Sequence, residues 1–65
     1  MLVNQYFFNQ HIKSLEKKGF TIFKKSQEKE CTKFIVYSRS SIGELKPITV
    51  GKIERDSRDY KYSIY

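Results

Sequence analysis

The stretch NQYFFNQHIKSLEKKGF, residues 4–20, decides the fold. Its apolar side chains recur at the 3.6-residue period of one helix face: Phe8, Ile12 and Leu15. Asn4 precedes them as an N-cap, because its side chain can accept from the free amides of the first turn. Gly19 follows them at the position where a left-handed backbone closes a helix. The stretch therefore predicts an amphipathic helix over residues 3–18, with a local signal at each end.

The remainder of the chain reads as antiparallel strands. Runs rich in β-branched and aromatic residues predict strands at residues 20–25, 31–38, 48–55 and 60–65. Polar or turn-forming residues predict loops between them at residues 26–30, 39–47 and 56–59. Gly51 interrupts the third predicted strand, which is typical of a β-bulge or of a close approach by another group. We expect one α+β domain over residues 1–65, with an N-terminal helix packed on a three- to four-stranded antiparallel sheet in the order α-β-β-β-β.

Each face of this sheet has a predicted role. The face under the helix is expected to carry Phe20, Ile22, Phe34, Val36, Ile48, Val50, Tyr62 and Ile64. The opposite face is expected to carry Phe23, Ile35, Tyr37, Ile53 and Tyr65, mixed with Lys25, Lys33, Arg55 and Lys61. That mixture is too apolar for plain solvent and too charged for a core, so it indicates a contact surface. A register slip of one residue would exchange the two faces.

Composition limits the class of protein. The chain has 65 residues, 13 Lys+Arg against 7 Asp+Glu, and a formal net charge of +6. A chain this short buries only about 60% of its unfolded surface, so size alone favours a bound partner or a dimer. Cys31 is the single cysteine, which excludes an internal disulfide and indicates a free thiol in a reducing compartment. No run approaches the ~20 apolar residues of a membrane span, and residues 1–12 do not resemble a signal peptide. A cytoplasmic location is expected.

Basic and aromatic residues together predict a nucleic-acid interface. Lys and Arg neutralise phosphates, and exposed rings on a sheet can stack on bases. The candidate residues for nucleic acid or another partner are Lys24, Lys25, Lys33, Tyr37, Arg39, Lys52, Arg55, Tyr60, Lys61, Tyr62 and Tyr65. The first hypothesis is therefore a small basic protein that binds nucleic acid.

Two alternatives use the same surface differently. A positive protein is steered toward acidic partners, which suggests an inhibitor, an antitoxin-like factor or an accessory subunit of the kind that phages and plasmids encode. A homodimer could instead bury the second sheet face. An enzyme is not expected, since His11 and Cys31 are the chain's only His and Cys, and no motif supplies the third group that a nucleophile and its base require. No metal or cofactor is expected either, because a zinc site needs four ligands.

Overall fold

A computed structural model describes residues 1–30, 32–43, 46–56 and 59–65. Its elements are β1 (Leu2–Val3), α1 (Gln5–Lys17), β2 (Thr21–Lys29), β3 (Thr32–Ser40), β4 (Ile48–Asp56) and β5 (Asp59–Ile64). The strands form one five-stranded sheet in the order β1-β5-β4-β3-β2, and every neighbouring pair is antiparallel. The α+β prediction with an N-terminal helix is confirmed, and the sheet has more strands than the three or four expected.

The start of α1 follows its local signal. The Asn4 side chain accepts a hydrogen bond of 2.8 Å from the Phe7 amide, as an N-cap should. The helix begins at Gln5 rather than at residue 3, because Leu2 and Val3 pair with Ser63 and Tyr62 of β5. This two-residue strand was not predicted, since two residues are too few to show an alternating pattern.

The end of α1 is closed by a glycine in the left-handed region. Gly19 has a φ of 96°, which a residue without a Cβ adopts freely. Its amide donates to the Glu16 carbonyl at 3.0 Å, and the Phe20 amide donates to the Leu15 carbonyl at 3.2 Å. These two bonds form the paired pattern that satisfies the last carbonyls of a helix. The predicted C-terminal closure is confirmed.

The connections on either side of α1 force it to cross the sheet. β1 lies at one edge and β2 at the other, so the helix must span from the β5 side to the β2 side. Thirteen helical residues are about 20 Å long. The distance across the five strands, which is four interstrand spacings, is about 19 Å. The helix therefore covers the sheet from edge to edge but covers only one end of the long strands.

The core beneath the helix is small. Among the described residues, the buried hydrophobic ones are Phe8, Ile12 and Val50. Half-buried residues pack around them: Val3, Leu15, Ile22, Tyr37, Ile53, Tyr62 and Ile64. Phe8 is the centre, because its ring lies edge-on to Tyr37 at 5.0 Å and against Tyr62 at 5.6 Å.

A bulge in β4 shapes the floor of this core. Tyr37 pairs with Gly51 and Ser38 pairs with Thr49, so Val50 is an extra residue in β4. A Cβ on Gly51 would stand 2.8 Å from Cε2 of Phe8. The glycine therefore provides the space that lets the Phe8 ring reach the sheet. Both readings of Gly51, a bulge and a close approach, are confirmed.

The predicted assignment of faces is wrong for β3. Tyr37 packs on Phe8 beneath the helix, and Ile35 shares its face because side chains alternate along a strand. Phe34 and Val36, expected in the core, therefore lie on the opposite face. Ile53, expected on that opposite face, packs against the core instead. The β4 bulge accounts for this, since one extra residue changes which side chains of β4 point toward the helix.

The strands of the first hairpin are longer than predicted. β2 continues through the polar residues 26–29, which were expected to form a loop, because each of them pairs with a residue of β3. β3 likewise continues to Ser40, which shortens the following connection to residues 41–47. The predicted free thiol of Cys31 lies outside the described residues. So do residues 57 and 58 of the predicted 56–59 turn. Asp56 and Asp59, which were expected in that turn, are instead paired residues of β4 and β5.

Removing the N-cap should destabilise the protein measurably. Asn4→Ala leaves the Phe7 amide without its acceptor, and we expect the free energy of unfolding to fall by about 1 kcal/mol. Asn9→Ala is the matched control, because Asn9 is exposed within the helix and caps nothing. Urea unfolding followed by circular dichroism measures both. Equal stability of the two variants would refute the capping role.

Filling the space at Gly51 should also destabilise the protein. Gly51→Ala places a methyl group against the Phe8 ring, and we expect a loss of about 1–3 kcal/mol. In a Phe8→Leu background the ring is absent, so the same substitution should cost less. A double-mutant cycle measured by urea unfolding gives this difference. Strict additivity of the two substitutions would show that the Phe8 contact is not the cause.

Candidate nucleic-acid interface

The sheet face away from the helix carries a regular mixture of cations and aromatic rings. Directly paired residues share a face, so the register assigns this surface, which we call the open face, without ambiguity. Its central residues are Phe23, Lys25, Gln27, Lys29, Phe34, Val36, Ser38, Lys52, Glu54, Lys61 and Ser63. No second helix of the described chain covers it.

The lysines of the open face surround its apolar centre. Lys25 and Lys52 stand on either side of Val36, because both pair with it from neighbouring strands. The Lys52 ammonium lies 5.1 Å from the centre of the Phe34 ring. At that distance a cation and a ring attract each other. Phe23 contributes a second ring, 50% exposed. The face thus presents positive charge and flat apolar surface within one plane.

A groove lies on the helix side of the sheet, beyond the end that α1 covers. We define the groove by its lining residues. Those at helix-side positions are Ser26, Glu28, Lys33, Ile35, Ile53, Arg55 and Tyr60, and two more, Gln27 and Phe34, border it although they belong to the open face. Its volume is about 520 Å³, which lies within the usual range of ligand clefts. Lys33 and Arg55 are direct cross-strand partners, and like charges so placed repel each other. Glu28, which also pairs directly with Lys33 and lines the groove, supplies one negative charge beside them.

The structure divides the predicted site residues between the two faces. The open face holds Lys25, Lys52 and Lys61. The groove holds Lys33, Arg55 and Tyr60. The remaining helix-side positions are Lys24, Tyr37, Arg39 and Tyr62. Tyr65 follows the last strand and is exposed. The predicted residues therefore form two surfaces rather than one.

The four remaining helix-side residues, Lys24, Tyr37, Arg39 and Tyr62, all contact rings of the protein. The Arg39 guanidinium lies 4.3 Å from the centre of the Phe20 ring, and the Lys24 ammonium lies 5.3 Å from the Tyr37 ring. Tyr37 and Tyr62 both pack against Phe8, as described above. Both tyrosines are half-buried. These rings stabilise the core, so neither of them offers a free face to a base.

Two open-face residues were missing from the predicted site. The sequence predicts a loop at Lys29. In the continuous strand β2, Lys29 stands four residues after Lys25 and so shares its face. The sequence predicts Phe34 in the core. Both the odd-numbered and the even-numbered side chains of β3 are apolar, so the sequence does not show which of them face the helix. A strand predicted through residue 29 would have placed Lys29 on the open face.

The one histidine, His11, is half-buried. Its Nε2 atom is buried without a hydrogen-bond partner among the described residues. Within the described ranges, no three His, Cys, Asp or Glu side chains gather as metal ligands would. In that same part of the chain, every helix is too short or too polar to cross a membrane.

No protein family, curated protein or solved structure matches this chain. Its function is therefore inferred from its own surfaces.

The placement of the tyrosines predicts their chemical reactivity. Tyr6, Tyr60 and Tyr65 are 67%, 54% and 63% exposed, whereas Tyr37 and Tyr62 pack on Phe8. We expect tetranitromethane to nitrate the three exposed rings first and the two packed rings slowly. Peptide mapping by mass spectrometry follows each site, and a urea-unfolded sample is the control in which all five rings should react alike. Early nitration of Tyr37 or Tyr62 in the folded protein would contradict this core.

Proposed function

We propose that this protein binds nucleic acid through its open face. The observation that supports the proposal is the interleaving of lysines with one exposed ring, Phe23, and one half-buried ring, Phe34, on a sheet surface that the helix leaves uncovered. Lys25, Lys29, Lys52 and Lys61 are positive there, and the described acidic residues of this face are Glu54 and, at the hairpin end, Asp59. Such a surface can neutralise phosphates while its rings stack on bases.

Single-stranded nucleic acid fits this surface better than a duplex. Bases in a duplex are stacked on one another and present no free ring face, whereas unpaired bases can lie flat on aromatic side chains. The rings of Phe23 and Phe34 carry no hydrogen-bonding group. They can therefore stack on a base without distinguishing one base from another. We therefore propose a preference for single strands with little sequence specificity.

The proposal describes a binding protein rather than an enzyme. Binding uses charge and ring surface, both of which the open face has, and needs no nucleophile or metal. A cytoplasmic location belongs to the same proposal, since nucleic acids and reduced thiols occur there.

Fluorescence anisotropy tests the open face directly. Labelled single-stranded RNA, single-stranded DNA and duplex DNA are titrated at about 50 and 200 mM salt, the range in which counterion release is visible. We expect single strands to bind more tightly than duplex, with a steep loss of affinity at the higher salt. The double variant Lys25→Gln, Lys52→Gln removes two open-face charges and should weaken binding at least about tenfold while flattening the salt slope.

The matched control removes the same charge elsewhere. Lys13→Gln, Lys17→Gln lowers the net charge equally but alters exposed positions of α1. It should keep most of the affinity. If both double variants weaken binding to the same extent, attraction is due to net charge and the open face has no special role. Absence of binding at the lower salt would refute the proposed function altogether.

The groove supports a second candidate function, docking of an acidic protein. Its floor includes Ile35 and Ile53, and the cations Lys33 and Arg55 stand together above them. An acidic segment with an apolar side chain would complement both features. Affinity capture with wild-type protein and with Lys33→Gln, Arg55→Gln separates the two candidates. A partner that the groove variant loses and the open-face variant keeps would favour docking.

A further inference from the structure

β2 is an unusually long and uncovered sheet edge. It has nine residues and, among the described strands, pairs only with β3, so no described strand lies beside its other edge. All its residues except Ile22 are exposed, and it contains neither proline nor bulge. Natural sheets usually shorten, bend or cover such an edge, or place charged side chains on it, because its free backbone groups pair readily with another strand. Of these devices β2 has only the charged side chains, Lys24, Lys25, Glu28 and Lys29. The opposite edge of this sheet follows the usual rule, since β1 has only two residues.

Alternate residues of β2 offer backbone groups to a partner. Lys29 pairs with Thr32 across a two-residue connection, which requires that pair to exchange hydrogen bonds. Bonding alternates along an antiparallel ladder, so the odd-numbered residues of β2 bond to β3. The N–H and C=O groups of the even-numbered residues therefore point away from the sheet. These residues are Ile22, Lys24, Ser26 and Glu28.

We propose that two copies of this chain associate through antiparallel pairing of β2 with the partner's β2, centred on Ser26. In this register Lys24 lies opposite the partner's Glu28, and the same pair recurs across the two-fold axis. Opposite charges in direct cross-strand pairs are favourable. Centring the pair on Lys24 or on Glu28 would instead bring like charges together. The charge pattern thus selects one register for a second copy.

The exposed area of a single chain is consistent with this pairing. The chain exposes 5258 Å², whereas a folded monomer of its mass exposes roughly 4,400 Å². The radius of gyration of 12.3 Å also exceeds the ~10.7 Å of a compact chain of this length.

Pairing through β2 would leave both binding surfaces available. A two-fold axis perpendicular to the sheet keeps both helices on one side and joins the two open faces into one continuous surface. Each Ile22 lies opposite the partner's Glu30, so the two helices stand at opposite ends of the paired strands and do not collide. Ser26 and Glu28 line the groove, so each groove would adjoin its counterpart at the axis. The association itself does not depend on the proposed nucleic-acid binding.

Sedimentation equilibrium of the full chain, without nucleic acid, tests the proposal. We expect a reversible monomer–dimer equilibrium in the wild-type protein. Ser26→Pro removes one outward N–H and spares the β3 ladder, so it should give monomers. Lys24→Glu and Glu28→Lys each replace attraction by repulsion in two symmetry-related pairs. Each should raise the dissociation constant about tenfold. The double variant Lys24→Glu, Glu28→Lys restores opposite charges and should return it to within about threefold of wild type.

Several results would overturn the proposal. Wild-type protein that stays monomeric at all concentrations would do so. A dimer that Ser26→Pro leaves intact would mean that another surface is used. The register would be excluded if the double variant Lys24→Glu, Glu28→Lys did not regain association although its circular dichroism spectrum is native. Because nucleic acid is absent throughout, these outcomes are independent of whether the open face binds it.

Discussion

The helix must bridge the two edges of the sheet, because the strand before it and the strand after it lie at opposite edges. Its length of about 20 Å matches the width of five strands, so it crosses the sheet once and ends. The longest strands have nine residues and reach about 30 Å. A single helix about 10 Å across cannot cover their full length. The core is therefore limited to one end of one face, around Phe8.

This geometry leaves surfaces that differ in chemistry. The open face is flat and mixes lysines with phenylalanine rings, whereas the groove combines an apolar floor with the paired cations Lys33 and Arg55. The free edge of β2 separates them, and its adjacent Lys24 and Lys25 point to opposite sides. The net charge of +6 is thus distributed over both faces. A small core explains why so much surface remains for binding, since few side chains are needed to hold the helix in place.

The sequence predicts the parts of this fold that local interactions determine. The ends of α1 were predictable, because Asn4 and Gly19 act on backbone groups only a few residues away. Gly51 was recognisable as a special position for the same reason. The face assignment of β3 was not predictable, because the odd-numbered and the even-numbered side chains of residues 34–37 are all apolar. The extension of β2 was not predictable either. Its residues 26–29 lie beyond the helix, carry no apolar pattern and become a strand only by pairing with β3.

The central claim is that the helix commits one face of the sheet to the core and leaves the other for binding. Titration of isotope-labelled protein with a single-stranded RNA, followed by side-chain nuclear magnetic resonance, tests it most directly. The account predicts that shifts alternate along the strands, with Phe23, Lys25, Phe34, Lys52 and Lys61 affected and Lys24, Lys33 and Arg55 unaffected. Shifts concentrated at the groove or along α1, with the open face unchanged, would contradict it.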